Sequence, residues 1–184
     1  MQKKPLKIVL IGGPATGKST VLEVLKTKKF HCFDEISREV ILNAQKNGIE
    51  QLFLIEPLLF SEMLLKGREQ QYLEAEKSLK DVVFFDRGIP DIKAYLDYFK
   101  SDYPAVFKEK CGVFSYDYIF HFAPWKTIHT TDNERYESFK ESVLIDQYIK
   151  KTYTDLGYKI INVPFGNLEE RCQFILNFLS LNNE

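Results

Sequence analysis

The chain has 184 residues, of which 45% are apolar, 28% charged and 14% aromatic, and 25 basic against 26 acidic side chains leave a net charge of −1. A chain of this length buries roughly 70% of its unfolded surface, enough for one core and too little for two ordinary domains. The near-neutral charge argues against a nucleic-acid-binding protein, because such proteins usually carry a basic excess. No stretch reaches about 18 uncharged apolar residues, so we expect no membrane span and a single domain over residues 1–184.

The N-terminus and the cysteines bear on the cellular compartment. The basic start, Met1–Pro5, leads into only six apolar or small residues before a glycine-rich turn, which is too short for the core of a signal peptide. The three cysteines are widely spaced and show no paired spacing, so we interpret Cys32, Cys111 and Cys172 as reduced thiols. Together these features predict a cytoplasmic protein.

Short apolar runs alternate with longer stretches of helical period, which predicts a layered α/β fold with a mainly parallel sheet. Five strands are predicted at residues 6–11, 31–33, 82–85, 116–122 and 159–163. About seven helices are expected, among them 18–28, 35–47, 57–76, 90–99, 134–156 and one that starts after Asn167. Asn167 and Glu170 have the spacing of a capping box.

The segment after the first strand fits the motif G-x-x-x-x-G-K-[ST] at every fixed position. It reads Gly12, Gly13, Pro14, Ala15, Thr16, Gly17, Lys18, Ser19, and Thr20 follows it. An aliphatic strand before it and an amphipathic helix after it are the context that this phosphate-binding motif requires. A glycine turn with a surface lysine is the alternative, and the flanking elements argue against it.

The residue types of the motif suit a bound triphosphate. Backbone N–H groups surround an anion only in conformations that glycine adopts cheaply, and Gly17 leads into a helix N-terminus, which attracts anions. Lys18 supplies an ammonium group for the β- and γ-phosphates, and the hydroxyl of Ser19 is a hard oxygen ligand for Mg²⁺. We therefore predict a site for ATP and Mg²⁺ here.

A magnesium site of this kind also needs a carboxylate on a neighbouring strand. Asp86 follows the apolar run Val82–Phe85, at the end of a parallel strand where ligands collect. Arg87 comes next and is predicted to clamp a phosphoryl oxygen. The alternatives are a solvated aspartate at a strand end and an arginine paired with a nearby acid.

Glu35 and Arg38 follow the second predicted strand. The functional interpretation places Glu35 beside the γ-phosphate, where a carboxylate accepts a hydroxyl proton or binds polar groups of an acceptor. Because the two residues are three apart on a helix, a local ion pair is an equally good interpretation.

The stretch from Pro124 to Lys140 mixes acids with bases, as expected for a lid that closes over a transferring phosphoryl group. Arg135 is the predicted lid residue, and Lys126 is the second candidate. The alternative interpretation of this stretch is the start of a helix with mixed charges.

Near the C-terminus, Val163–Gly166 either borders an adenine or is a plain strand–helix turn. The three histidines lack the spacing of a metal site, so no zinc is predicted.

These motifs, read together, resemble a known family. Their order is Gly-Gly-Pro-Ala-Thr-Gly-Lys-Ser-Thr, Asp-Glu-Ile-Ser-Arg-Glu-Val-Ile, Phe-Phe-Asp-Arg-Gly-Ile-Pro-Asp, Ala-Pro-Trp, Asp-Asn-Glu-Arg-Tyr-Glu-Ser-Phe and Val-Pro-Phe-Gly. The sequence is similar to small P-loop kinase-like ATPases that carry an "AAA" label and resemble the ribosylnicotinamide-kinase half of the bifunctional regulator of NAD biosynthesis. The resemblance runs from about residue 7 to residue 178.

The resemblance implies a three-layer α/β/α P-loop fold whose five-stranded parallel sheet has the order 2-3-1-4-5, as in nucleoside and nucleotide kinases. It implies that the nucleotide is held by Gly12, Gly17, Lys18, Ser19 and Thr20. Asp86 and Arg87 then match an Asp-Arg motif, and Arg135 matches a lid arginine. Acceptor-side residues are then Glu35, Arg38, Arg68, Asp91 and Tyr95. A ring-forming motor would need a second, helical domain, for which this chain has no room.

Two functions follow as hypotheses. The first is a small-molecule kinase that transfers the γ-phosphate of ATP·Mg²⁺ to a nucleoside-like or other small hydroxyl acceptor. The second is a regulatory NTPase or switch that binds a protein or lipid partner and hydrolyses slowly. No N-K-x-D guanine signature is present, which favours ATP over GTP, while the acceptor and the oligomeric state stay open.

Overall fold

A five-stranded parallel sheet forms the centre of the fold. The computed structural model describes residues 4–46, 48–49, 52–129 and 137–181. The strands are β1 Leu6–Ile11, β2 His31–Phe33, β3 Val82–Asp86, β4 Tyr118–His121 and β5 Ile160–Asn162, in the spatial order β2-β3-β1-β4-β5. Every neighbouring pair is parallel, which confirms the predicted order.

Eight helices occupy the part of the chain that the structure describes. They are α1 Lys18–Thr27, α2 Ser37–Lys46, α3 Leu52–Ile55, α4 Pro57–Ala75, α5 Ile89–Tyr98, α6 Val106–Val113, α7 Phe139–Asp155 and α8 Leu168–Phe178. The two that the sequence analysis did not place, α3 and α6, span four and eight residues, which is too short for a clear helical period. None of the described helices is long and apolar enough to cross a bilayer.

The helix ends follow the capping chemistry. Asn167 Oδ1 accepts from the Glu170 amide at 2.9 Å, and the Glu170 carboxylate accepts from the Asn167 amide, so the predicted capping box is present. Ser138 and Glu141 form the same motif before α7. Helix α7 therefore begins at residue 139, whereas the predicted start at residue 134 lies outside the described residues.

Two apolar cores lie on opposite faces of the sheet. Alternate residues of β1 point to different faces, so Val9 and Ile11 join one core, while Ile8 and Leu10 join the other. Helices α4, α5, α6 and α7 cover the first face, and α1 and α8 cover the second. Because all strands are parallel, the loop after β1 and the end of β3 meet at one rim, where Leu10 pairs with Asp86.

Candidate functional site

The phosphate-loop motif forms the connection between β1 and α1. Gly17 adopts a left-handed conformation at φ +85° directly before α1, which a side chain would strain. The loop is thus a tight turn that ends on a helix N-terminus, the arrangement in which backbone N–H groups and the helix dipole attract an anion. Residues 14–20 line a large cavity.

Lys18 lies within this loop and is 5% exposed. Its Nζ donates to the carbonyl oxygens of Gly12 at 3.1 Å and Gly13 at 2.8 Å, and to Thr16 Oγ1 at 3.1 Å. Burial, reinforced by the guanidinium of Arg87, lowers the pKa of Lys18 to about 7. A polyphosphate next to Nζ would favour the charged form, so the ammonium is suited to an anionic ligand.

Ser19 and Asp86 meet at the rim of the sheet. Ser19 Oγ donates to Asp86 Oδ2 at 2.5 Å, and Asp86 Oδ1 is buried with no hydrogen-bond partner. Burial raises the pKa of Asp86, although Lys18 opposes the shift. A hydroxyl beside a carboxylate with an unpartnered oxygen is a set of hard donors that fits Mg²⁺. The two residues predicted as metal ligands are therefore adjacent.

Glu35, Arg68, Arg87 and Asp91 form an acid–arginine cluster next to this rim. Arg68 Nη2 donates to both oxygens of Glu35, at 2.9 and 3.2 Å, and Arg87 Nε lies 2.7 Å from Glu35 Oε2. Burial would raise the pKa of Glu35, but the guanidinium groups of Arg68 and Arg87 outweigh it and lower the pKa. Glu35 is thus held as a carboxylate.

The backbone of Arg87 is part of this arrangement. Arg87 has φ +72°, an uncommon left-handed conformation for a residue with a side chain, and its amide donates to Leu10 O at 3.1 Å. Its guanidinium lies over the Tyr95 ring, 5.4 Å from the centroid, and its Nη1 contacts Gly12 O at 3.1 Å. Arg87 thereby links the acid–arginine cluster to the phosphate loop.

Asp91 occupies a deeper position than the acceptor-facing one that the sequence suggests. Its side chain is 0% exposed, and its carboxylate binds Arg87 Nη1 at 3.1 Å, the Gly88 amide at 2.9 Å and Tyr153 Oη at 2.7 Å. With both oxygens engaged, Asp91 orients Arg87. Arg38 lies at the exposed side of the same cavity.

The cavity joins these groups. It has a volume of about 1420 Å³ and runs from the phosphate loop past Asp86 into the space between α2, α4 and α5. Most ligand sites measure roughly 300–1,000 Å³, so this one has room for two ligands. Every acceptor-side residue predicted from the sequence lines it, namely Glu35, Arg38, Arg68, Asp91 and Tyr95. Its outer walls are mostly apolar, with Ile41, Leu42, Phe60, Leu64, Ile92 and Leu96.

The predicted lid arginine, Arg135, lies outside the described residues, as do residues 130–136 in the middle of the predicted lid. The rings of Trp125 and Phe165 pack at 5.1 Å between centroids, and Trp125 lines the cavity. The turn at residues 163–166 does reach the cavity, through Gly166.

Arg171 is a site residue that the motifs did not indicate. It is 6% exposed, its Nη2 donates to Thr16 O at 2.7 Å, and its guanidinium lies 4.7 Å from the centre of the Phe122 ring. Its Nε is buried without a partner, and burial lowers the pKa of the side chain. The one signal for it in the sequence is its place in α8 directly before Cys172, which is buried.

Comparisons with known proteins agree with this architecture. The family model described as "AAA domain" matches residues 7–171. A search of curated proteins found no match. Among solved structures, deoxyadenosine kinase from M. mycoides with dCMP and dCDP bound has a TM-score of 0.68 and 17% identity, over 95% of this chain and 99% of that chain.

Two further structures share the fold. NadR in complex with NR has a TM-score of 0.74 at 15% identity, over 98% of this chain and 52% of NadR, so the chain spans about half of that protein. Thymidylate kinase from Candida albicans has a TM-score of 0.66 at 14% identity, over 96% of this chain and 92% of the kinase. Kinases of nucleosides and of nucleotides thus share this sheet and its helices.

Proposed function

The chain belongs to the AAA domain family, and from this premise we propose that it is an ATP-dependent small-molecule kinase. The proposed reaction transfers the γ-phosphate of ATP to the hydroxyl group of a nucleoside-like or other small acceptor. One observation carries the proposal: a single cavity connects the phosphate loop to the acid–arginine cluster. A hydrolytic switch needs the first of these parts, whereas a kinase needs both.

The donor site is proposed at the loop and its neighbours. Residues 12–20 supply the anion-binding turn, and the buried Nζ of Lys18 is placed for the β- and γ-phosphates. The adenine is expected beside the Trp125–Phe165 ring pair, because apolar rings offer a stacking surface to a base. ATP is the proposed phosphate donor because the sequence lacks the N-K-x-D signature of guanine binding.

Magnesium is part of the proposal because Ser19 and Asp86 fit it. The unpartnered Asp86 Oδ1 and the adjacent Ser19 hydroxyl would hold the ion. An ion held by these two residues would supply positive charge to the phosphate oxygens. Lys18 and the loop amides are proposed to bind the rest of the polyphosphate.

On the acceptor side, Glu35 is proposed to accept a hydrogen bond from the attacking hydroxyl. Its lowered pKa makes it a weak base, so it first orients the hydroxyl and takes up the proton only as the new P–O bond forms and the bond to the ADP leaving group breaks. Arg87, fixed by Glu35 and Asp91, is placed to meet the charge on the transferring group. Catalysis would consist mainly of positioning and electrostatics.

The charge balance of the acid–arginine cluster favours an acceptor without a phosphate group. Arg68 and Arg87 carry two positive charges and Glu35 and Asp91 two negative ones, and three ion pairs of 2.7–3.1 Å join them: Arg68–Glu35, Arg87–Glu35 and Arg87–Asp91. A phosphate monoester would meet the Glu35 carboxylate and no uncompensated arginine in this cluster. A hydroxyl compound, for which Glu35 is a hydrogen-bond acceptor, suits the cluster better.

The test is ADP formation from MgATP by the purified protein, with and without a panel of nucleosides, ribosides and the matching monophosphates. We expect at least a tenfold stimulation by a compound of the first two classes and none by its monophosphate, with Lys18→Ala as the inactive control. Slow turnover that no acceptor stimulates would instead favour the regulatory NTPase that binds a protein or lipid partner.

We also propose a cytoplasmic location, because the three cysteines show no paired spacing in the sequence and thiols stay reduced in that compartment.

A further inference from the structure

Helix α7 holds the outer side of the phosphate loop. Ser142 Oγ donates to Pro14 O at 2.8 Å, and Asp146 Oδ1 accepts from the Gly13 amide at 3.1 Å. A Cβ atom at Gly13 would lie 2.5 Å from Ser142 O, so only glycine allows the loop to approach the helix this closely. The helix therefore contacts the loop backbone directly.

A second pair of side chains holds Asp146 in place. His121 Nε2 lies 2.8 Å from the same Asp146 Oδ1, and His121 Nδ1 lies 2.8 Å from Asn162 Oδ1. His121 ends β4 and Asn162 ends β5, so the carboxylate is tied to the rim of the sheet. Ser142, Asp146 and His121 are 0%, 6% and 1% exposed, and water competes little for these hydrogen bonds.

We propose that Asp146 is a positioning residue for nucleotide binding, which acts by holding the phosphate loop in its anion-binding conformation. The proposal rests on the loop's binding of polyphosphate and is independent of which acceptor is used. The phosphate loop binds an anion well only if its backbone N–H groups already point towards the anion site, because ordering a flexible loop reduces the binding free energy. Asp146 binds the amide of Gly13, and Ser142 binds the carbonyl oxygen of Pro14. These two hydrogen bonds fix the backbone orientation at the start of the loop, and with it the orientation of the amides that follow.

The first measurement is the affinity of the full chain for ATP and ADP, by calorimetry, in three variants. Asp146→Ala is expected to weaken both nucleotides about tenfold, whereas Asp146→Asn, which keeps an oxygen for the Gly13 amide, is expected to weaken them less. Gln147→Ala, at an exposed position of the same helix, is the matched control and is expected to bind normally. In the kinase assay the KM for ATP should rise while the KM for the acceptor stays unchanged, a split that a general loss of packing would not produce.

The second measurement needs no nucleotide and separates this inference from the proposed function. Amide hydrogen exchange at Gly13 should be slow in the wild-type protein and at least tenfold faster in Asp146→Ala, with Gln147→Ala unchanged. Equal exchange at Gly13 in the wild-type and Asp146→Ala proteins, or wild-type ATP affinity in Asp146→Ala, would overturn the assignment even if the kinase activity is real.

Discussion

Ser19 Oγ and Asp86 Oδ2 lie 2.5 Å apart although 67 residues separate them in the chain. The contact exists because β1 and β3 are parallel neighbours, so the loop after one strand faces the end of the other. The same adjacency leaves Asp86 Oδ1 buried and without a partner. Burying the unpartnered oxygen of Asp86 costs folding free energy, but the same oxygen can bind a cation. Such a costly group is expected at a functional site.

Replacing Asp86 with asparagine should separate stability from function. Asn removes a buried carboxylate whose pKa burial raises, so we expect Tm to stay equal or to increase. The Mg²⁺-dependent gain in ATP affinity should fall at least tenfold, which calorimetry with and without Mg²⁺ would measure. Asp102→Asn, at an exposed site, is the control. A normal Mg²⁺ response in Asp86→Asn would remove Asp86 from the metal site.

Binding of ATP should be accompanied by proton uptake at Lys18. With a pKa of about 7 in the free protein, this amine is mostly neutral at pH 8, and a bound polyphosphate raises its pKa. Affinity should therefore fall as pH rises above 7. Calorimetry at pH 8, in two buffers of different ionisation enthalpy, should give close to one proton taken up per ATP. An uptake of zero would contradict the lowered pKa.

The same shift predicts a stability profile for the nucleotide-free protein. The pKa of Lys18 in the folded chain lies below the ordinary lysine value of 10.5, so between pH 7 and 10.5 the unfolded chain binds a proton that the folded chain has released. This group makes stability rise with pH across that window and contributes no slope below pH 7. The Lys18 contribution should be absent from the urea-unfolding profile of Lys18→Met and present in that of Lys150→Met, an exposed control.

Glu35→Gln should reduce turnover and leave ATP affinity near the wild-type value. The amide oxygen of Gln still accepts a hydrogen bond but cannot take up the proton of the attacking hydroxyl, so we expect kcat to fall by about a hundredfold. The change also leaves Arg68 and Arg87 with one buried carboxylate fewer, and Tm should fall. Glu39→Gln, on the exposed face of α2, is the control for both effects. If ATP affinity falls and turnover holds, Glu35 belongs to the donor site.

Arg171→Met should weaken ATP binding about five- to tenfold. The guanidinium contacts the loop at Thr16 O and lines the nucleotide end of the cavity. Tm should change by only a few degrees, because the loss of this hydrogen bond is offset by removal of a buried charge that has no ion pair among the described residues. Asn177→Met, exposed on the same helix, controls for the substitution. Unchanged ATP affinity would make Arg171 a purely structural residue.

The residues of the phosphate loop were predictable because they lie next to one another in the sequence, so their pattern alone identifies an anion-binding turn. The glycines, Lys18 and Ser19 of the loop form their turn from contiguous residues, and the order of the sheet followed from the resemblance to P-loop kinases. The position of Asp91 was not predictable, since its burial depends on Tyr153 from α7. For Arg87, the sequence left open an ion pair with a nearby acid. The structure contains two such ion pairs, with Glu35 and with Asp91.

The amino-acid sequence by itself determined the alternation of strands and helices, the anion-binding loop and the acids that follow β2 and β3, because these depend on residues close together in the chain. The tertiary structure alone decided which side chains share hydrogen bonds across the rim: Glu35 with Arg68, Arg171 with the loop carbonyl, and Asp146 with the Gly13 amide. Those pairs are 33 to 155 residues apart. They form only when strand order and helix packing place them side by side, and no local pattern in the chain records that geometry.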